Sequence, residues 1–286
     1  MEFNFPALGT HWWIEIWDKI DKDTQREVSN FIALFVSNFE KKYSRFISDS
    51  DISRLNKERI LESPDLETYN ILMHGIDLYV RTNGVFNILV GHILESQGYD
   101  AEYSFRENQD VVRKAGDPNQ DIFISKSRIQ LQGSANIDIG GYGKGWLIDL
   151  LAKELQDRFN ISQLLINGGG DIYTTSQGEN PVEIYLEDPQ EAQKIISSVK
   201  IKNRGFAASS PHKRSWPSET KDEHGISKDH THIVSQTKNE IKDIMYVTAS
   251  NAVDADAFAT AFLQMDSEQA SKVARRENIE ILDYLK

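Results

Sequence analysis

The apolar positions of this chain recur at two spacings, and the change of spacing divides it into strands and helices. From Trp12 to Trp17 the period is two. Trp12, Ile14 and Ile16 fall on one wholly apolar face, and Trp13, Glu15 and Trp17 on a mixed one, as in a strand buried on one side. Across 23–42 the period becomes helical, with Val28, Phe31, Ile32, Phe35 and Phe39 on one face. Tyr43 to Asn56 is polar and rich in Ser and Asp, and reads as a loop carrying one aromatic, Phe46. Ser63-Pro64 supplies a cap and a first-turn proline for a helix that stops near Gly84. A mixed apolar segment over 85–99 and a charged loop to about residue 122 follow. The pattern then predicts strands at 122–132, 163–167, 182–187, 197–208, 230–235 and 244–249. It predicts helices at 252–265 and 267–277, and a short apolar tail. No repeat or low-complexity linker interrupts this order, so one α+β domain over 1–286 is expected.

Composition narrows the functions open to such a domain. A net charge of −12 argues against non-specific binding to nucleic acid or anionic membranes, so any phosphate site has to be a local positive pocket. With no cysteine, disulfides, thiolate zinc sites and a cysteine nucleophile are excluded. No stretch approaches the roughly 18 apolar residues of a transmembrane segment. The first residues carry no basic, apolar leader. The expectation is a cytoplasmic protein, or a membrane-anchored extracytoplasmic one if a leader has been removed.

Four places carry candidate chemistry. In Asn136-Ile-Asp-Ile-Gly-Gly-Tyr-Gly-Lys-Gly145 a β-branched run breaks into four glycines, and a helical pattern starts near Lys144. A strand entering a helix through such a turn offers backbone N–H groups and a positive dipole end to an anion, and Lys144 adds a point charge. The P-loop pattern fails because Gly145 follows the lysine, and the dinucleotide pattern fails on glycine spacing. A tight turn with no ligand reads the segment equally well. Asn167-Gly168-Gly169-Gly170-Asp171, at the end of a strand, is the second, again either a ligand approach or a plain turn. The third is Asn251 to Thr260, where Asp256 and Thr260 share a helix face among alanines and present hard oxygens of the kind magnesium takes. Helix capping by the aspartate and an i−4 hydroxyl bond are the structural alternatives. The fourth is His232, an available proton acceptor at a strand edge. His212, His224 and His230 lie in a charged loop and suggest solvent.

Taken in order, these segments resemble the ApbE family, the FAD:protein FMN transferases. Ala7-Leu8-Gly9-Thr10 is similar to its Met-Gly-Thr opening, and Ser44-Arg45-Phe46 followed by Asp49 to Asn56 to its serine-aromatic and Asp-Ser…Leu-Asn segment. Gly84-Val85-Phe86-Asn87 resembles Gly-x-Phe-Asp, and Asp138 to Gly145 the hallmark Asp-Leu-Gly-Gly-x-Ala-Lys-Gly, with Asp149 in register. Gly169-Gly170-Asp171, Ala208-Ser209-Ser210, His232-Ile233 and Ala255 to Thr260 complete the series.

The resemblance implies a single T-fold-related unit with mixed or antiparallel sheets flanked by helices. It also implies a Mg2+-dependent enzyme. That enzyme takes FAD as substrate and moves its FMN half to a Thr or Ser hydroxyl of an acceptor flavoprotein, releasing AMP. By carry-over Asp256 and Thr260 bind the metal with the carbonyl of Gly143, where the family has alanine. Phe46 stacks on the isoalloxazine. Gly140, Gly141, Gly169, Gly170, Lys144, Asp149, Ser209 and Ser210 line the dinucleotide, together with Asn87, Asp138 and Asp171. His232 is the base and Lys144 neutralises charge. The segment after His232, Asn87 and Ser210-Pro211 depart from the family pattern. FAD hydrolysis to FMN and AMP, and non-catalytic flavin binding, are the alternatives.

Overall fold

Strand β1 (Glu2–Ala7) turns straight back into β2 (Thr10–Ile16) through Leu8 and Gly9, both at positive φ (50° and 66°). A two-residue connection of this hand matches the twist of antiparallel strands, and glycine adopts it without strain. The computed structural model describes residues 1–108, 114–177, 181–188, 191, 193–218, 229–237 and 239–282. After β2 come α1 (Lys22–Tyr43), α2 (Asp51–Glu58), β3 (Ile60–Glu62), α3 (Leu66–Arg81), α4 (Gly91–Ser96), β4 (Ile122–Ile124) and β5 (Arg128–Leu131). Then follow α5 (Gly143–Phe159), β6 (Leu164–Gly168), β7 (Asp171–Thr175), β8 (Val182–Glu187), β9 (Ile195–Ile201) and β10 (Arg204–Ser209). Last are β11 (Ser215–Trp216), β12 (His230–Thr231), β13 (Met245–Ala249), α6 (Ala252–Phe262), α7 (Ser267–Glu277) and β14 (Glu280–Ile281).

These elements form two compact units. The first takes Met1–Glu40, Gly140–Ser210 and the chain from Asp243 onward. Its sheet has the order β1-β2-β6-β7-β10-β13-β14, and every neighbouring pair is antiparallel. The apolar face of β2 is fully buried, with Trp12 and Ile14 at 0% exposure. Helix α6 is buried nearly all round, as its run of Ala, Val and Phe requires, and Asp254 and Asp256 are its only charges. Leu165, Ile172, Leu186, Ile201, Phe206, Ile244 and Tyr246 make a further core cluster.

The second unit takes Lys41–Ile139 and Pro211–Lys242. It holds the antiparallel sheet β3-β5-β4, helices α2 to α4 and the short ladder β11–β12. Leu94, Tyr99 and Trp216 form a buried cluster with Phe46, Val90 and Val234 against it.

The expected α+β class is what the structure has, and its sheets are antiparallel. Several expected elements differ in detail. The β-branched run 137–139 is not a strand. The side-chain amide of Asn56 exchanges two hydrogen bonds with Ile137 (2.7 and 2.9 Å), and Asp138 N–H donates to Ile88 O, so the backbone is satisfied without a ladder. The polar 43–56 segment is not all loop: Ser50 caps α2, whose Ile52 and Leu55 are buried. Its Ser and Asp residues are helix-start chemistry. Ser63 sits at φ 49°, and the N-cap of α3 is Asp65 instead, its side chain accepting from Thr68 N–H. The expected strands at 122–132 and 197–208 each divide at a turn, the second at Asn203 (φ 51°), and only His230–Thr231 of 230–235 is strand. His224, Lys238 and the last residues of the tail lie outside the described residues.

Candidate functional site

In the first unit the glycine run delivers Lys144 to a pair of buried carboxylates. Gly140 and Gly141 form the turn before α5, Gly143 is the first helical residue, and Lys144 the second. Lys144 Nζ lies 2.7 Å from Asp171 Oδ2 and 3.4 Å from Asp256 Oδ2, and Gly145 N–H donates to Asp256 Oδ2 at 3.1 Å. Both carboxylates are almost wholly buried, whereas Lys144 keeps a quarter of its side chain exposed. Burial alone would lower the lysine pKa, but the two carboxylates outweigh it and hold the ammonium charged, above its ordinary value. One ammonium cannot satisfy two carboxylates. Burial and the like charge of Asp171 push Asp256 well above the usual carboxylate range, against the opposing pull of Lys144 and the Gly145 N–H.

Two local devices build this cluster. Gly169 and Gly170, at φ 73° and 101°, close the two-residue turn between β6 and β7 and set Asp171 directly after it. A Cβ at Gly169 would stand 2.3 Å from Thr10 Oγ1, so the β1–β2 and β6–β7 turns lie against each other. Helices α5 and α6 meet at Gly145, where a Cβ would come within 2.5 Å of Ala252 O and 2.6 Å of Val253 Cα. That contact brings Asp256 to the first turn of α5.

Asp149, expected along the dinucleotide, receives the N–H groups of Ala252 and Val253 at 2.8 Å, one on each oxygen. Asn251 takes Asp254 N–H at 2.8 Å, so side chains fill the first turn of α6. Thr260 stands one helical turn beyond Asp256, its Oγ1 3.0 Å from Ser209 Oγ at the end of β10. Ser210 is 3% exposed and donates to Asp243 O at 2.6 Å.

Among the described residues no three His, Cys, Asp or Glu side chains converge as a ready metal cage. The donors present are instead carboxylates (Asp171, Asp256) and hydroxyls (Thr260, Ser209), and Asp171 Oδ2 is buried against the Lys144 ammonium. A few hard oxygens, with the remaining positions left to phosphate and water, fit magnesium.

The second unit holds the other expected residues. Arg45 is buried, its Nε bonded to the Asp138 carboxylate. Its Cζ lies 4.2 Å from the Phe46 ring centroid. Tyr99 meets Phe46 edge-on at 5.3 Å, and Tyr103 lies parallel to it at 4.9 Å. Asn87 donates to Gly116 O (2.9 Å) and accepts from Leu89 N–H (2.8 Å), so its amide fastens the backbone. His232 is half-buried just after β12, its Nδ1 3.3 Å from Arg214 O. A carbonyl only accepts, which puts the ring proton on Nδ1 and the lone pair on Nε2. His212 is exposed as expected, but His230 is not a solvent residue: it pairs with the buried Glu107 carboxylate beside Trp216. Sequence reasoning gave no role to Arg45, Tyr99, Tyr103 or Trp216. The available signal was the repeated aromatics of 99–105 in a segment otherwise read as a polar loop.

The ApbE family profile matches residues 8–282. An FAD:protein FMN transferase of Escherichia coli strain K12 is 24% identical over 295 residues, covering 96% of this chain and 81% of its own. Crystal structures of the ApbE protein from Thermotoga maritima and of apo flavinyl transferase ApbE from Pseudomonas stutzeri both superpose with a TM-score of 0.79. They are 21% and 18% identical to the chain, each covering 98% of it and 93% and 89% of themselves, and they establish the shared fold. No helix among the described residues is long and apolar enough to cross a membrane.

Proposed function

The chain belongs to the ApbE family, and from that premise we propose that it is an FAD:protein FMN transferase, moving the FMN half of FAD to a Thr or Ser hydroxyl of an acceptor flavoprotein. The observation that carries the reading is the Lys144–Asp171–Asp256 cluster, with Thr260 and Ser209 on the same unit. Family motifs far apart in sequence assemble there into one polar group.

In the proposed reaction the acceptor oxygen attacks the phosphorus of the FMN half. The bond to the bridging oxygen breaks, and AMP leaves with that oxygen. Asp256, Thr260 and the Gly143 carbonyl would hold Mg2+, which supplies positive charge against the phosphate oxygens when bound. Lys144, kept charged by its carboxylates, faces the same developing negative charge. Asp149 holds the first turn of α6 in place and so positions Asp256. His232 takes the acceptor hydroxyl proton on Nε2, the nitrogen left basic by its Nδ1–carbonyl contact. Phe46 stacks on the flavin ring.

The test is incubation with FAD, with and without Mg2+, and an acceptor carrying Asp-x-x-Thr-Gly-Ala-Thr, followed by in-gel flavin fluorescence of the denatured acceptor. A Mg2+-dependent fluorescent band is the expected result. AMP released without acceptor would show a pyrophosphatase instead. FAD bound and recovered intact would show a flavin-binding protein without the chemistry.

A further inference from the structure

Phe46 can offer its ring to a ligand only where nothing else covers it, and Tyr103 does. The two rings are 6° from parallel with centroids 4.9 Å apart, a stacked pair. Tyr103 is 43% exposed, so the stack sits at the surface of its unit. The backbone that presents it is closely tied. Phe105 N–H donates to Gly98 O (2.9 Å), and Asp100 Oδ1 receives the N–H groups of Glu102 (3.0 Å) and Ser104 (2.9 Å). Tyr103 and Phe105 both lie at positive φ (51° and 49°), a region that aromatic side chains rarely adopt. The chain thus holds an unfavourable backbone in order to lay a half-exposed tyrosine on Phe46.

A second observation comes from the other neighbour of Phe46. Arg45 has its Nε on Asp138, while Nη1 and Nη2 are buried with no hydrogen-bond partner. Its Cζ lies 4.2 Å from the Phe46 centroid and 4.9 Å from that of Tyr99. Unfilled buried N–H donors are costly unless a ligand fills them. A rigid guanidinium among aromatic faces suits a planar ring that carries carbonyl oxygens along one edge.

We propose that Tyr103 occupies the flavin-stacking position on Phe46, and that an incoming isoalloxazine ring displaces it and brings its carbonyl edge to the Arg45 Nη groups. This rests on the flavin reading above. Tyr103 is then an internal competitor, and measured flavin affinity is reduced by the fraction of molecules in which it lies on Phe46.

The experiment titrates wild type, Tyr103→Ala and Tyr103→Phe with riboflavin, which carries the ring without phosphate, and with FAD plus Mg2+. Binding is read by flavin fluorescence, and circular dichroism checks folding. Losing a stacked competitor is expected to tighten riboflavin and FAD binding by about three- to tenfold in Tyr103→Ala. Tyr103→Phe keeps the ring and returns the affinity to the wild-type value. Equal or weaker flavin binding by folded Tyr103→Ala overturns the displacement while leaving the flavin reading intact. If no folded variant, wild type included, binds either flavin, the flavin reading falls and the displacement with it.

Discussion

Asp149 holds its two oxygens against the first N–H groups of α6, yet burial outweighs those bonds and raises the carboxyl to a pKa of about 6. The folded protein therefore binds this proton more tightly than the unfolded chain, whose ordinary value is near 4. The sign follows from linkage. The group's favourable contribution is complete below about pH 4 and is lost as pH rises through about 6, a swing on the order of 2–3 kcal/mol. Asp149→Asn removes the titration. Urea unfolding of both proteins at several pH values is expected to show wild type losing stability relative to the variant between pH 4 and 7. Parallel curves would contradict the assignment. From sequence Asp149 was visible only as a residue in register with a motif. Its partners are backbone groups at positions 252 and 253, and no side-chain pattern encodes them.

At the scale of elements, the α5–α6 contact decides whether the polar cluster exists. Gly145 allows that contact, because a Cβ there would run into the Ala252 carbonyl and Val253 Cα, neither of which can rotate away. Gly145→Ala is expected to cost about 3 kcal/mol, through overpacking against backbone. It should also reduce transfer more than the loss of folded protein explains, since the Gly145 N–H holds Asp256. Thermal unfolding alongside FMN transfer per folded molecule measures both effects, and a variant with wild-type stability would show that the helices are not held at this point. Elements with strong periodicity were legible in advance: β2, α1, α6 and α7 follow from their apolar spacing. β1 was not, since Pro6 and alternating polar residues hide an edge strand, where proline is tolerated. α2 was hidden because its capping residues look like loop composition.

At the scale of the whole molecule, the net charge and the countered Lys144 both disfavour an anionic ligand until a cation joins it. The chain carries −12, and in the one cluster proposed to face phosphate a single ammonium is shared by two carboxylates. The sequence displayed Lys144, Asp171, Asp256 and Thr260 separately, because each lies in its own motif. That Asp171 neutralises Lys144 was not legible, since it depends on a hairpin turn closing beside a helix start. This pairing changes the expected binding behaviour. Lys144 alone would attract the doubly anionic pyrophosphate, but with its charge already countered it cannot do so by itself. A divalent ion held by Asp256 and Thr260 reverses the local sign. Chelating Mg2+ is therefore expected to weaken FAD binding by about tenfold or more, an energy of about 1.4 kcal/mol at least. Riboflavin, which has no phosphate, should bind equally well with and without the metal. Isothermal titration with each ligand, in excess EDTA and in excess Mg2+, separates the two. FAD affinity that ignored chelation would mean that Lys144 leaves its carboxylates for the phosphate. In that case the metal would have no part in holding the substrate.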